Sequence, residues 1–157
     1  MYATLEKTGP GGGGAAEQYR LSKIGGPGNL LLRLWAEEPG DGGYLVEDDK
    51  ALTEAGATPT VASVVTFAGP VSDAVRKAGD RAGRERIAPA MEAHPGAVRM
   101  LSLWEPRDRR HVIVVLATSV ESLEEGGRRI SQLPLLPGED VALLPGPDHV
   151  ELFRVES

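Results

Sequence analysis

A tryptophan and a histidine placed across one hairpin are the side chains of this sequence best suited to chemistry. Trp104 closes an apolar run, Ala97–Glu105, and His111 opens another, His111–Ala117. Pro106-Arg107-Asp108-Arg109 between them has the composition and length of a hairpin loop, so Glu105 and Arg110 become the closing pair. That register sets Trp104 opposite His111 on one face. An indole beside an imidazole that titrates near neutrality can bind a flat phenolic ligand and move its proton. The plainer reading makes Trp104 packing and His111 a wet strand end. Trp35 and Tyr44 stand in matching places in the first half, at a barrel mouth in either copy. Arg99 lies mid-strand among apolar neighbours, where a guanidinium must be paired, either with a ligand carboxylate or with an internal Asp or Glu.

Other chemistries are excluded or weak. Cysteine is absent, which removes disulfides, thiolate nucleophiles and cysteine-held metal together. The three histidines show no H-x-H or H-x-x-x-H spacing, so no metal site is expected, and His94 in its turn reads as a surface residue. Gly9-Pro10-Gly11-Gly12-Gly13-Gly14 formally contains G-x-G-x-x-G. It lacks the apolar strand and parallel context of a dinucleotide fingerprint, and no Lys-Ser/Thr follows, so it reads as a flexible loop. Glu47-Asp48-Asp49 is a solvated charge run. A net charge of −6 argues against nucleic acid as a partner. No basic-then-apolar leader and no run of about 20 apolar residues is present, so no membrane contact is expected and the cytoplasm is the default. At 157 residues, 41% hydrophobic and 25% charged, the chain is long enough for one domain with a real core.

The elements that must position the pair are legible in the second half. Val61–Ala68 is β-branched and stops at Gly69-Pro70, as a strand does. Ser72 or Asp73 caps a helix expected to run to about Ala88. Its buried stripe is Val75, Gly79, Ala82, Gly83, Ile87, Ala90 and Met91, with Lys77, Asp80, Arg81 and Arg84 opposite. Gly79 and Gly83 on that stripe imply close approach to a sheet, and Pro89 ends or kinks the helix. His94-Pro95-Gly96 turns the chain into Ala97–Glu105, where Val98, Met100, Ser102 and Trp104 share a face. Thr118-Ser119-Val120-Glu121 reads as a capping box opening a second helix, with Val120, Leu123, Gly127 and Ile130 inward. A Pro/Gly-rich link, Leu133 to Pro147, leads to a last strand, His149–Val155.

Strand, helix, hairpin, helix, strand is the ferredoxin-like β-α-β-β-α-β order, with both helices on one face of the sheet. The other face cannot be solvated. Val112 to Ala117 is unbroken, and Phe67, Leu101 and Leu103 sit opposite the other apolar set. A second sheet is the natural cover.

Two passages carry a family resemblance: Ile87-Ala88-Pro89-Ala90-Met91-Glu92-Ala93-His94-Pro95-Gly96-Ala97-Val98 and Leu144-Pro145-Gly146-Pro147-Asp148-His149-Val150-Glu151-Leu152. They resemble the helix-to-strand and closing passages of the dimeric α+β barrel superfamily. That group includes antibiotic-biosynthesis monooxygenase-like proteins, polyketide cyclases and muconolactone-isomerase-like enzymes. The resemblance covers roughly the last 95 residues. It implies two ferredoxin-like sheets paired into a barrel, with small ligands bound between sheet and helices. Monooxygenase-like relatives use asparagine, tryptophan and histidine together. Asn29 is the one asparagine of this chain and stands elsewhere.

The first half reads as a worn copy. Met1–Thr8 is a strand ending in Gly9-Pro10. Pro27–Trp35 parallels Pro95–Trp104, Glu38–Gly43 matches the hairpin loop, and Tyr44-Leu45-Val46 begins the next strand. Ala15–Ile24 could form a short helix and Lys50–Ala55 barely a turn. The expected architecture is therefore α+β. A degenerate half-repeat at 1–58 packs on a complete ferredoxin-like unit at 59–157. The barrel closes either within one chain or between two chains of a homodimer. The function expected is binding or cofactor-independent transformation of an aromatic or polyketide-like small molecule, as by a monooxygenase, cyclase or isomerase. His111 would be catalytic, with Trp104, Arg99, Trp35 and Tyr44 on the ligand and no cofactor. The alternative is a non-catalytic binding or assembly module that uses the fold for pairing.

Overall fold

Alternating and β-branched runs dominate the chain, and they form strands throughout. The structure, a computed structural model, describes residues 1–7, 14–39 and 43–156. Residues 9–13 of the glycine run and 40–42 of the first-half loop lie outside them. Strands β1 (Tyr2–Lys7), β2 (Glu17–Lys23), β3 (Asn29–Trp35) and β4 (Tyr44–Ala51) make the first half. Strands β5 (Val61–Phe67), β6 (Ala97–Glu105), β7 (Arg110–Ala117) and β8 (His149–Glu156) make the second. All pair antiparallel in a closed ring, β1-β3-β2-β8-β5-β7-β6-β4, with β4 returning to β1. The order of the first quartet is β4-β1-β3-β2 and of the second β8-β5-β7-β6, the same ferredoxin-like arrangement twice.

The chain thus covers its own sheet. Inside the ring Leu21, Leu32, Leu34, Leu101, Leu103 and Leu116 are at most 1% exposed and pack with Val64, Val112, Val114 and Phe153. An eight-stranded barrel is just wide enough for side chains to fill it, and here they do. Phe67 is not among them. Its register with His111, itself opposite Trp104, puts it on the outer face. A bulge between Ala97 and Arg99 turns Val98 the other way, into the barrel, away from Met100, Ser102 and Trp104.

Among the described residues, helices cover the outer face of the second quartet alone. Helix α1 (Asp73–Ala82) starts at Ser72, whose hydroxyl accepts from Val75 N–H at 3.2 Å. The helical path does not stop near Pro89. A π-helical turn, Gly83–Ile87, links α1 to a short α2 (Ala88–Glu92) with the proline in its first turn. Ala88 N–H bonds to Gly83 carbonyl five residues back, so Pro89 enters where the ladder has already been widened. Gly79 and Gly83 face open space rather than a sheet, since a Cβ at either would meet nothing within 4 Å, and the buried residues of this path are Ala82, Ala88 and Met91. Helix α3 (Val120–Gln132) is capped by Ser119, whose Oγ accepts from Ser122 N–H at 3.1 Å, one residue later than Thr118. Thr118 instead ties its own N–H to Gly96 carbonyl at 2.9 Å. Gly126, not Gly127, is the inward glycine: a Cβ there would lie 3.4 Å from His94 Nε2.

The first half holds no helix among its described residues. Residues expected to be helical between Ala15 and Ile24 form β2, because β3 on one side and β8 on the other take up its backbone groups. Lys50 and Ala51 likewise end β4 against β6. The parallel between Pro27–Trp35 and Pro95–Trp104 does not extend to position: in chain order β3 is the third strand of its quartet and β6 the second.

Candidate functional site

The hairpin register is as its loop length dictates. Glu105 pairs with Arg110 and Trp104 with His111. On the next strand Phe67 is opposite His111, and their rings stack with centroids 5.5 Å apart at 22°. Ser102, two residues before Trp104 on the same face, brings its Oγ to 2.8 Å from His111 Nε2. These side chains lie on the helix-covered side of the sheet, and not at a barrel mouth. His111, Ser102, Phe67 and Ile113 stay half-buried there.

Trp104 itself is 3% exposed. The Arg76 guanidinium from α1 lies over its ring at 4.1 Å and Arg109 approaches to 5.2 Å. Arg76 also bonds Glu47 at 2.5 Å. Glu47 stands in a bulge of β4 between Val46 and Asp48, which turns its carboxylate toward α1. Both partners are more than a third exposed, so the pair contributes about 0–1 kcal/mol and the cation–π contact about 0.5–1 kcal/mol. The roof over Trp104 is weakly latched.

Burial lowers the His111 pKa below the ordinary imidazole value, and the charge of Arg76 adds to this, while Asp80 opposes it. His111 is therefore neutral at physiological pH, the form that accepts a proton. With the folded pKa below the unfolded one, stability is full above the ordinary imidazole range and declines as pH falls toward the folded value. His111→Gln is expected to flatten that part of the profile, read as the urea midpoint between about pH 7 and 5. An unchanged slope in the variant would assign the titration to another group.

Arg99 points to the opposite side of the sheet, into one end of the barrel, and is held by two carboxylates from the first half. Asp49 accepts from Nε at 2.8 Å and from Nη2 at 2.6 Å, and Glu17 from Nη1 at 2.8 Å. Tyr19 Oη accepts from Nη1 at 3.1 Å. Bonding to Asp49 raises the arginine pKa above its already high value against the effect of burial. Around the cluster lies a cleft of about 480 Å³, walled by Ala51, Ala55, Ala57, Pro59 and Val98. A second cleft, about 510 Å³, runs along Glu125, Arg128, Arg129, Gln132 and Leu133, none of them a predicted site residue.

Trp35 and Tyr44 are not a cross-strand pair, because β3 and β4 both flank β1 and never meet. Trp35 donates from Nε1 to Thr4 Oγ1 at 3.1 Å on the outer face, and Tyr44 packs against the barrel core. His94 is not a surface residue. It is 2% exposed, and its Nε2 donates to Ser122 carbonyl at 2.7 Å, fastening the turn before β6 to α3. Ser102, Phe67 and Arg76 join the site without having been singled out. Of these only Ser102 carried a signal, a lone hydroxyl in an apolar strand in phase with Trp104. Among the described residues no group of three or more His, Cys, Asp or Glu is placed to hold a metal, and no helix is long and apolar enough to cross a membrane.

No protein-family model and no curated protein matches the sequence. Solved structures do. A ferredoxin-fold protein from Listeria monocytogenes related to antibiotic biosynthesis monooxygenases superposes with a TM-score of 0.67 at 10% identity, covering 99% of this chain and 94% of that one. The heme-degrading enzyme LmHde of Listeria monocytogenes gives 0.64 at 10% identity, over 99% and 100%. An anthrone oxidase-like protein gives 0.57 at 14% identity, over 92% and 78%. At such identities the likeness is one of architecture: this chain has a ferredoxin-like α+β barrel fold, shared with those structures.

Proposed function

We propose that this protein binds a flat aromatic or polyketide-like small molecule between α1 and the outer face of its second quartet, and that His111 exchanges a proton with it. One observation carries the reading. The row Phe67–His111–Trp104, with Ser102 2.8 Å from the imidazole, lies on a helix-covered face whose polar members stay half-open, whereas the barrel interior is packed apart from the cleft at its Arg99 end. Apolar walls with a few convergent polar groups are what a small-molecule site needs. Neutral His111 is the base, Ser102 orients its ring, and Phe67 and Trp104 supply flat walls. Proton abstraction opens isomerisation, cyclisation and cofactor-independent oxygenation alike, and the imidazole suits each. Arg99 is a structural tie in this reading, and Trp35 and Tyr44 lie off the site.

The repeated strand order supports reading 1–58 and 59–157 as two copies of one unit. In that reading the first copy has shed its helices, and one site per chain remains.

Aromatic probes, with heme and an anthrone among them because the structural neighbours are named for them, test the site through tryptophan fluorescence. Quenching is expected in the native chain and in Trp35→Phe, and is expected to vanish in Trp104→Phe. His111→Gln should leave binding in place and lower any turnover by about 10²–10⁴-fold. Quenching that follows Trp35 would move the site to the first half. No quenching by any probe would favour an assembly module, the reading suggested by the 3% exposure of Trp104 beneath Arg76.

A further inference from the structure

We propose that the site between α1 and the sheet selects ligands carrying a carboxylate or phenolate, with Arg76 receiving the anion and Glu47 as the latch it displaces. The inference rests on the site reading above and adds its ligand class. Trp104 is 3% exposed, and two guanidinium groups lie over its ring, Arg76 nearer at 4.1 Å and Arg109 at 5.2 Å. A flat molecule therefore reaches the indole only when Arg76 swings aside, which breaks its bond to Glu47.

The fate of that guanidinium decides what can bind. Asp80, one turn further along α1, is occupied by Arg84 at 3.1 and 2.7 Å and is a poor substitute partner. Asp73 is taken by Arg109 at 2.6 Å. A neutral ligand would break the Arg76–Glu47 pair without replacing it, beside a half-buried histidine. An anionic ligand replaces the Glu47 oxygen one for one and restores the charge-assisted hydrogen bond. Arg109, 5.2 Å from the same indole, adds a second positive group near the site. The left-handed backbone of Arg109 (φ 52°) is one that non-glycine residues rarely adopt. It is held there by its bonds to Val71 carbonyl and Asp73, which keep the side chain by Trp104.

The latch can be read directly. Glu47 holds Arg76 against either kind of ligand, so its removal helps both, while the advantage of the anion comes from Arg76 itself. Equilibrium dialysis of the full chain at neutral pH with 2-naphthoate and 2-naphthamide, which share a ring system and differ in charge, makes the comparison. The acid is expected to bind at least about tenfold tighter than the amide. Arg76→Gln should erase the preference, and Glu47→Gln should tighten both ligands severalfold while leaving the preference for the acid in place. Equal affinities in the native chain would overturn the anion preference, and acid binding that Glu47→Gln does not alter would overturn the latch, while Trp104-dependent quenching keeps the site. Failure of both probes to bind, with no quenching by the wider aromatic panel, would remove the site reading itself. Matched thermal melts for the two variants separate a lost preference from a lost fold.

Discussion

A fragment comprising residues 59–157 is expected to aggregate or to pair with a second copy of itself, although it contains a whole ferredoxin-like order. The reason lies in the second face of its sheet. Leu101, Leu103, Val112, Val114, Leu116 and Phe153 are at most 2% exposed in the full chain, where β1–β4 close the barrel over them. Exposing each such side chain costs roughly 1.5–3 kcal/mol, and a handful of them equals the whole stability of a typical domain. Two fragments facing each other could rebuild a barrel of two identical quartets. Light scattering and circular dichroism distinguish these states, and supplying residues 1–58 in trans should restore the native spectrum. A fragment that remains monomeric, soluble and cooperatively folded would show that the first half is an appendage rather than a wall. In the full chain β2 meets β8 and β4 meets β6, so the barrel leaves no sheet edge open to a second copy.

Replacing Arg99 by methionine is expected to destabilise the chain strongly. Arg99 is a 17%-exposed side chain holding two carboxylates of the other quartet, and its loss leaves Asp49 and Glu17 facing each other without a cation. Breaking a well-buried ion network costs about 3–5 kcal/mol. The partial exposure of Glu17 puts this case at the lower end, on the order of 3 kcal/mol, or roughly 6–12 °C in melting temperature for a chain of this size. Asp49→Asn in the same background should recover part of the loss by removing the repulsion. Ligand affinity at the His111 face should not move, because Arg99 projects from the other side of the sheet. A variant that melts like the native chain but no longer binds aromatic ligands would return Arg99 to the ligand-binding role its sequence position allowed.

Much of the second quartet is legible locally. The loop Pro106–Arg109 is short enough to leave one register, so Trp104, His111, Glu105 and Arg110 pair as read. The unbroken apolar run of β7 requires burial on both faces, and burial on both faces requires a second layer. Ser72 and the β-branched run before it mark where strand gives way to helix. Each of these inferences rests on neighbours in sequence, where alternation or a cap reports directly on backbone state.

What the tertiary structure decided is the choice among distant partners. Arg99 finds Asp49 and Glu17 at separations of 50 and 82 residues, and nothing within any local window distinguishes those carboxylates from the other acidic residues of the chain. Glu17–Lys23 is a strand because β3 and β8 flank it, although its own residues would also make a helix. His94 is buried because Gly126 of α3 lets the ring approach, and Phe67 faces outward because its register with His111 puts it there. Trp104 lies under Arg76 because a bulge in β4 aims Glu47 at α1. Periodicity tells which side chains share a face. Which face meets which is set by closing eight strands into one ring, a long-range condition that no single segment encodes.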